Sequence, residues 1–195
     1  MTKNAAVKYW ASFLFVFSTF LLAAQPDKMY TSLAEALQNP EQVYKLALRK
    51  NKLKELPEEI RLFKNLTYLD VSKNRLSDLP AWFAELANLE ELYLTGNKFT
   101  HLPQPIYSLT NLRVLVVDRN PVNQISADIK NLTQLELLKL WDTEIESLPE
   151  TISALKNLKR LDLRNTLIYK NELEKYQALL PNTEIQVTNG CDCKK

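Results

Sequence analysis

The sequence predicts an α/β fold: a solenoid with a curved parallel β-sheet on its concave face and short helical or 3-10 segments on its convex face. We expect about six repeats with a cap at each end. Three observations lead to this prediction. Leucine supplies 36 of the 195 residues, about twice its ordinary share. The leucines recur every 23 residues, and a Leu-Pro pair recurs with the same period. A fixed period of this length is typical of repeat architectures.

The composition disfavours an enzyme. The two glycines, Gly96 and Gly190, are too few and too far apart for a glycine-rich phosphate loop or a dinucleotide fingerprint. His101 is the only histidine, so a pair of histidines for zinc does not exist. A lone histidine also disfavours Ser-His-Asp and Cys-His catalysis. We therefore predict no catalytic residue, no cofactor and no metal site.

Residues 1–24 are predicted to form a secretory signal peptide. Lys3 and Lys8 precede an uncharged apolar run at 11–24, which gives the order of a basic region, an apolar region and a small-residue exit. That run spans about 21 Å as a helix, less than the ~30 Å of a bilayer core. An uncleaved anchor or a core helix is therefore the weaker alternative. Cleavage after Ala24 would leave a mature chain that starts at Gln25, has no formal net charge and contains no membrane span.

The repeats are predicted to occupy residues 43–170 as six copies of 23 residues. Leu66 opens LTYLDVSKNRL and Leu89 opens LEELYLTGNKF, and both follow the pattern L-x-x-L-x-L-x-x-N-x-L. In the L-x-L stretch the leucines point inward and the x residues point outward, as in a short strand. One strand cannot bury its leucines alone, so stacked copies must share a core. The copies open at Val43, Leu66, Leu89, Leu112, Leu135 and Leu158.

A polar residue follows each predicted strand at one place in the repeat. A carboxamide there can bond to backbone groups that lose their ladder partners where the strand turns away. The last two copies have threonine instead, which reaches less far, and we expect a looser turn there. The asparagines are Asn51, Asn74, Asn97 and Asn120, and the threonines are Thr143 and Thr166.

Caps are predicted at residues 25–42 and 171–187, because the end repeats would otherwise expose core leucines. TSLAEALQ, from Thr31, reads as a short helix with Thr31 or Ser32 as its N-cap. Residues 171–180 read as a second helix, and Ile185 and Val187 suggest a last strand. Residues 188–195 are predicted to be a mobile tail.

The complete repeat, L-x-x-L-x-L-x-x-N-x-L-x-x-L-P-x-x-I-x-x-L-x-N, resembles the typical 23-residue class of the leucine-rich-repeat family. Leu56-Pro57, Leu79-Pro80, Leu102-Pro103 and Leu148-Pro149 carry its second half. The family mostly serves as a scaffold for protein recognition, so the resemblance implies a binding module. A signal segment without the cysteine caps of animal extracellular members indicates an exported bacterial protein, periplasmic or secreted.

A binding patch is predicted on the concave face. The fold does not require apolar residues at its outward positions, and neighbouring strands about 4.8 Å apart would join such residues into one patch. Apolar patches ringed by charge commonly mark partner sites, although these side chains can also simply pack on one another. We expect a protein or peptide partner, with glycan or cell-envelope binding through the aromatic residues as the alternative. The patch consists of Tyr68, Tyr93, Val114, Val116, Leu137 and Trp141.

A basic rim is predicted beside this patch, at the start of each turn. It reverses to Asp142 and Glu144 in the fifth copy. The rim can steer an acidic partner, or it is an ordinary solvated edge. Since the mature chain is neutral, it has no long-range field for nucleic acid, and no nucleic-acid partner is predicted. The rim consists of Lys50, Lys52, Lys73, Arg75, Lys98 and Arg119.

Overall fold

The computed structural model describes residues 27–188. The predicted signal peptide, with its cleavage site after Ala24, lies outside the described residues, and so does nearly all of the predicted tail. Within residues 27–188, no helix has the length and apolar character needed to cross a membrane.

In the described residues, eight short strands form one parallel sheet, and each strand pairs with the next strand in the sequence. This arrangement, with short helices between the strands, confirms the predicted fold class. The strands are Met29–Tyr30 (β1), Lys45–Ala47 (β2), Tyr68–Asp70 (β3), Glu91–Tyr93 (β4), Val114–Val116 (β5), Leu137–Lys139 (β6), Arg160–Asp162 (β7) and Glu184–Gln186 (β8).

The register of the sheet follows the 23-residue period. Leu69 pairs with Leu92, which pairs in turn with Leu115, and these middle residues of β3, β4 and β5 are fully buried. Their outward neighbours are the x residues of the L-x-L stretch, so the predicted inside and outside of the strands are correct. The period breaks at the last pair, where Leu161 meets Ile185.

Short 3-10 helices cover the convex face, and the recurring Leu-Pro pair explains where they start. Each proline stands immediately before a helix in an extended conformation, for example Pro80 at ψ 154°. Ser126 takes this place in the fourth copy, and its hydroxyl accepts a hydrogen bond from the Asp128 N–H at 3.2 Å. The helices of the first five copies span Glu58–Leu62, Ala81–Glu85, Gln104–Ser108, Ala127–Asn131 and Glu150–Ala154, and Pro40–Gln42 precedes the first strand of the repeats.

A helix closes each end of the core. The helix Leu33–Ala36 (α1) starts after Ser32, whose hydroxyl accepts a hydrogen bond from the Glu35 N–H at 3.4 Å. The helix Lys170–Leu179 (α2) places Tyr176 in the core, where its hydroxyl accepts a hydrogen bond from the Leu148 N–H at 2.7 Å. These contacts cover the leucines that the first and last repeats would otherwise expose.

Candidate functional site

Three columns of outward side chains form the concave face, because each strand presents the same positions in register. The first column lies at the first residue of each strand, the second column at the third residue, and the third column two residues later. In the first column stand Lys45, Tyr68, Glu91, Val114, Leu137 and Arg160; in the second, Ala47, Asp70, Tyr93, Val116, Lys139 and Asp162; in the third, Arg49, Ser72, Thr95, Asp118, Trp141 and Arg164.

Two tyrosines of the predicted patch contact each other. The ring centroids of Tyr68 and Tyr93 are 5.1 Å apart, with the rings tilted by 38°. The Tyr93 hydroxyl donates a hydrogen bond to Glu91 Oε2 at 2.8 Å. Both rings are half-buried, so the pair presents a fixed aromatic surface to the concave side.

Both tyrosines remain neutral hydrogen-bond donors at physiological pH. Burial raises the pKa of the Tyr93 phenol well above its usual range, and the carboxylate of Glu91 raises it further. Burial also raises the pKa of Tyr68, together with the negative charge of Asp70. Burial and neighbouring negative charge both disfavour a phenolate.

The aliphatic members of the patch lie beside the tyrosines. Val114 pairs with Leu137 across β5 and β6, and Tyr93 pairs with Val116 across β4 and β5. Val114 and Leu137 are half-buried, whereas Val116 is only 6% exposed. A ligand on this surface would therefore meet Val114 and Leu137 more than Val116.

Trp141 is the one predicted patch residue in the third column. It lies in the third column, where the flanking copies carry Asp118 and Arg164, and Lys139 separates it from Leu137 along the chain. The Arg119 guanidinium lies 4.3 Å from the centroid of the indole ring, a cation–π contact that orients the ring. The structure thus gives two neighbouring surfaces, the patch of five residues and Trp141 with Arg119.

Three aspartates on the concave face were not singled out from the sequence. Asp70 accepts a hydrogen bond from the Ser72 N–H at 2.8 Å, and Asp162 accepts one from the Arg164 N–H at 3.2 Å. Asp118 accepts one from the Trp141 N–H at 2.9 Å. The donors all belong to the third column, where the strand has ended and the ladder no longer supplies acceptors. For Asp70 and Asp162, the sequence signal is an aspartate two residues before a third-column position. Asp118 is itself a third-column residue and does not follow this pattern.

These aspartates differ in their electrostatic surroundings. Burial raises the pKa of Asp118. Burial acts in the same direction on Asp162, but the hydrogen bonds and charge of Arg164 outweigh it and lower the pKa of Asp162. Arg164 Nε and Nη2 bind the two carboxylate oxygens at 2.9 and 2.6 Å. This two-point contact is the stronger kind of charge-assisted hydrogen bond.

The basic rim lies along the edge where the strands end, and all six of its side chains are exposed. Lys50, Lys73 and Arg119 adopt left-handed backbone conformations with φ of 59°, 59° and 55°, and Gly96 occupies the same place in its copy with φ of 68°. Each of these residues donates its N–H to a third-column carbonyl of the next copy, as Lys73 does to Thr95 at 2.7 Å. The rim positions are therefore fixed by backbone hydrogen bonds.

The polar groups that could serve catalysis or metal binding do not converge within residues 27–188. His101 is exposed, and its Nδ1 lies 3.2 Å from the Thr100 hydroxyl. No group of three His, Cys, Asp or Glu side chains in that range is arranged to hold a metal ion.

Comparison with known proteins finds the same architecture. A family profile described as Leucine rich repeat matches residues 41–99. The structure is similar to a leucine-rich-repeat protein of Leptospira interrogans, with 33% identity and a TM-score of 0.67 over 82% of this chain and 46% of that protein. It is also similar to internalin C2 of Listeria monocytogenes, with 29% identity and a TM-score of 0.68 over 81% of this chain and 66% of that protein.

A third similar structure is the leucine-rich-repeat ectodomain of the plant membrane receptor kinase GASSHO1/SCHENGEN3 from Arabidopsis thaliana, in complex with CASPARIAN STRIP INTEGRITY FACTOR 2. It has 29% identity and a TM-score of 0.62 over 76% of this chain and 18% of that protein. The search of curated proteins gave no significant match. The chain thus spans about half of the Leptospira protein and less of the plant receptor.

Proposed function

Since this chain belongs to the leucine-rich-repeat family, we propose that it is a non-enzymatic module that binds a protein or peptide on its concave sheet. The observation that carries the proposal is the surface formed by the Tyr68–Tyr93 pair and the Val114–Leu137 pair, on a side of the sheet that no element within residues 27–188 covers. Apolar surface of this kind, bordered by charged residues, is typical of partner sites. The plant ectodomain bound to its partner supports binding by a related fold.

The rigidity of the patch favours binding. The ring contact between Tyr68 and Tyr93 and the hydrogen bond from Tyr93 to Glu91 hold both side chains in place before a partner arrives. A preorganised surface loses less conformational entropy on association. Tyrosine also offers a large contact area with few rotatable bonds, which is why it is common in binding surfaces.

Trp141 is the proposed anchor at one side of this surface. Arg119 holds its ring, and Asp118 accepts a hydrogen bond from its backbone N–H. Tryptophan and arginine are the residue types most often found at energetic hot spots. Trp141→Ala should therefore weaken partner binding at least about tenfold, which corresponds to about 1.4 kcal/mol.

The experiment is affinity purification with the protein as bait, followed by mass spectrometry and titration of the recovered partner against variants. Trp82→Ala is the matched control, because Trp82 is also half-buried but lies in the convex helix Ala81–Glu85. We expect Trp141→Ala to lose affinity with a nearly unchanged melting temperature, and Trp82→Ala to retain affinity. If Trp141→Ala lowers the melting temperature and leaves binding unchanged, Trp141 is structural and the proposal loses its anchor.

Glycan or cell-envelope binding is the second candidate, since the adjacent rings of Tyr68 and Tyr93 form an aromatic platform of the kind on which sugars stack. A glycan array distinguishes the two candidates. Binding to a defined sugar that Tyr93→Ala abolishes, without any protein recovered by affinity purification, would replace the first proposal.

We also propose that the protein is exported and that residues 1–24 are removed. Lys3, Lys8 and the apolar run at 11–24 support this proposal. N-terminal sequencing of material recovered outside the cytoplasm should begin at or near Gln25. Recovery of Met1 would contradict cleavage.

A further inference from the structure

The basic rim carries positive charge that the described part of the protein does not neutralise. Among residues 27–188, no acidic side chain forms an ion pair with five of the six rim residues. Only Arg119 has such a partner, Asp142, at 3.8 Å. The five residues without an ion pair are Lys50, Lys52, Lys73, Arg75 and Lys98.

On two other surfaces of the repeats, the cations form ion pairs with carboxylates of neighbouring copies. Where the strands begin, Arg113 and Lys159 both contact Glu136, at 2.6 and 2.5 Å. On the convex face, Arg61 contacts Glu85 of the next copy at 2.8 Å. At these places a cation of one copy faces a carboxylate of a neighbouring copy. The rim instead places cations on three neighbouring copies, about 4.8 Å from strand to strand.

The backbone that carries the rim cations is hydrogen-bonded to neighbouring copies. Lys50 and Lys52 have φ of 59° and 58°, and Lys73 has φ of 59°, all in the left-handed region. The N–H groups of Lys50, Lys73, Arg75 and Lys98 are each hydrogen-bonded to a carbonyl of a neighbouring copy, at 2.7 to 3.1 Å. Like charges clustered on neighbouring copies raise the local positive potential and favour an anionic partner.

The sign of the rim reverses in the fifth copy, where Asp142 and Glu144 replace the cations. A uniformly anionic polymer, such as a nucleic acid or an acidic polysaccharide, would be repelled if it continued along the edge to this copy. A protein segment can match the reversal, because its acidic residues can occupy a short block. It can also supply apolar side chains to the neighbouring concave patch.

We propose that the rim binds an acidic segment of the protein partner, laid across the ends of β2, β3 and β4, and that Asp142 and Glu144 mark where the acidic block ends. The inference rests on the proposed function in that both surfaces serve one partner. The rim contacts would mainly raise the association rate and fix the direction of the segment, as charged groups at interfaces do.

The test uses a fluorescein-labelled peptide that contains a run of glutamates and no apolar side chain, titrated with the full chain by fluorescence anisotropy. The rim variant is Arg75→Ala/Lys98→Ala. The matched control is Lys130→Ala/Lys156→Ala, which removes the same charge from exposed side chains on or beside the convex helices. At about 50 mM salt, where screening is weak, we expect at least about a fivefold loss for the rim variant and less than about twofold for the control.

Two further titrations make the assignment specific. Glu144→Lys extends the positive rim and should tighten binding of the peptide at least about twofold; unchanged affinity would refute the role given to the reversal. An oligothymidylate of equal charge should bind more weakly than the peptide, and equal or tighter binding would overturn the assignment to a protein segment. Equal losses for the two double variants would show a general charge effect and would also overturn it.

The two proposals can fail separately. Trp141→Ala is expected to leave binding of the acidic peptide within about twofold, because this probe has no apolar group for the concave surface. If the rim variant binds the acidic peptide as the wild type does, while Trp141→Ala still weakens binding of the recovered partner, only the proposal for the rim is refuted. The opposite result refutes the concave anchor alone.

Discussion

The side chain of Asn97 joins two copies of the repeat, and we expect Asn97→Ala to be among the costlier single substitutions of a polar residue in the sheet. Its amide nitrogen donates to the carbonyl oxygens of Val71 and Leu94, at 3.1 and 2.8 Å. Its carbonyl oxygen accepts from the Leu76 N–H at 3.1 Å. The side chain is only 8% exposed, so water cannot readily replace these bonds.

The size of the stability loss depends on which hydrogen-bond partners each backbone group retains in Asn97→Ala. Val71 and Leu94 each retain a second donor, the amides of Asn74 and Asn120, so each lost bond costs about 0.5–1 kcal/mol. The buried N–H of Leu76 loses its acceptor, and an unsatisfied buried donor costs about 1–3 kcal/mol. The expected loss in the free energy of unfolding is therefore about 2–5 kcal/mol.

Thr143→Ala is the matched control, since Thr143 takes the same place in the fifth copy. Its hydroxyl makes one hydrogen bond, to the Leu140 carbonyl at 2.7 Å, and its removal should cost about 1 kcal/mol. Urea unfolding followed by circular dichroism, with equal slopes for both variants, measures the two losses. If Asn97→Ala and Thr143→Ala cost the same, the bonds between copies contribute nothing and the reasoning is wrong.

Two further predictions concern the core and the concave face. Leu92 is fully buried, so Leu92→Ala should cost about 2–5 kcal/mol, whereas Glu91→Ala loses one hydrogen bond from Tyr93 and should cost about 1 kcal/mol; urea melts that give equal losses would reverse the assignment of inside and outside. Asp162→Asn should destabilise the protein at pH 7, because Arg164 lowers the pKa of Asp162 below its ordinary 3.8 in the folded state. That stabilisation is complete above the ordinary pKa and is lost as the pH falls through the folded pKa. The difference in stability between wild type and variant should therefore vanish in strong acid, and a difference that persists there would show that charge is not its cause.

The strands were predictable because the period of the chain is also the period of the sheet. Every copy buries its two inward strand residues in the same way. Aligning the sequences of the copies therefore gives the register of the strands. β1 was not predicted from the sequence, because it lies outside the 23-residue period. Met29 pairs with Lys45, which is 16 positions later in the sequence, and this spacing does not recur in the repeats. Tyr30 is nevertheless buried at 5% exposure, because it covers the edge of the first copy.

The concave surface was less predictable than the strands. Outward positions are easy to assign from alternation, but their accessibility depends on neighbours that alternation does not describe. Asp70 occupies an outward position and is only 4% exposed, because its carboxylate turns back to the backbone at the strand end. In the fifth copy, Leu137 is the first-column residue, Lys139 the second and Trp141 the third, so Lys139 lies between Leu137 and Trp141 along the chain. Such side-chain geometry depends on local hydrogen bonds and not on the period.

The constant register makes the sheet modular. Removal of residues 66–88 would join Asn65 to Leu89 and bring Leu46 opposite Leu92, with every inward residue of the new neighbours in its usual place. The shortened sheet would lose one strand spacing, about 4.8 Å, from the span between its two ends. A deletion within a copy would instead change the 23-residue spacing that sets this register. Gain or loss of whole copies thus changes the length of the concave face in fixed steps while the register of the sheet is kept.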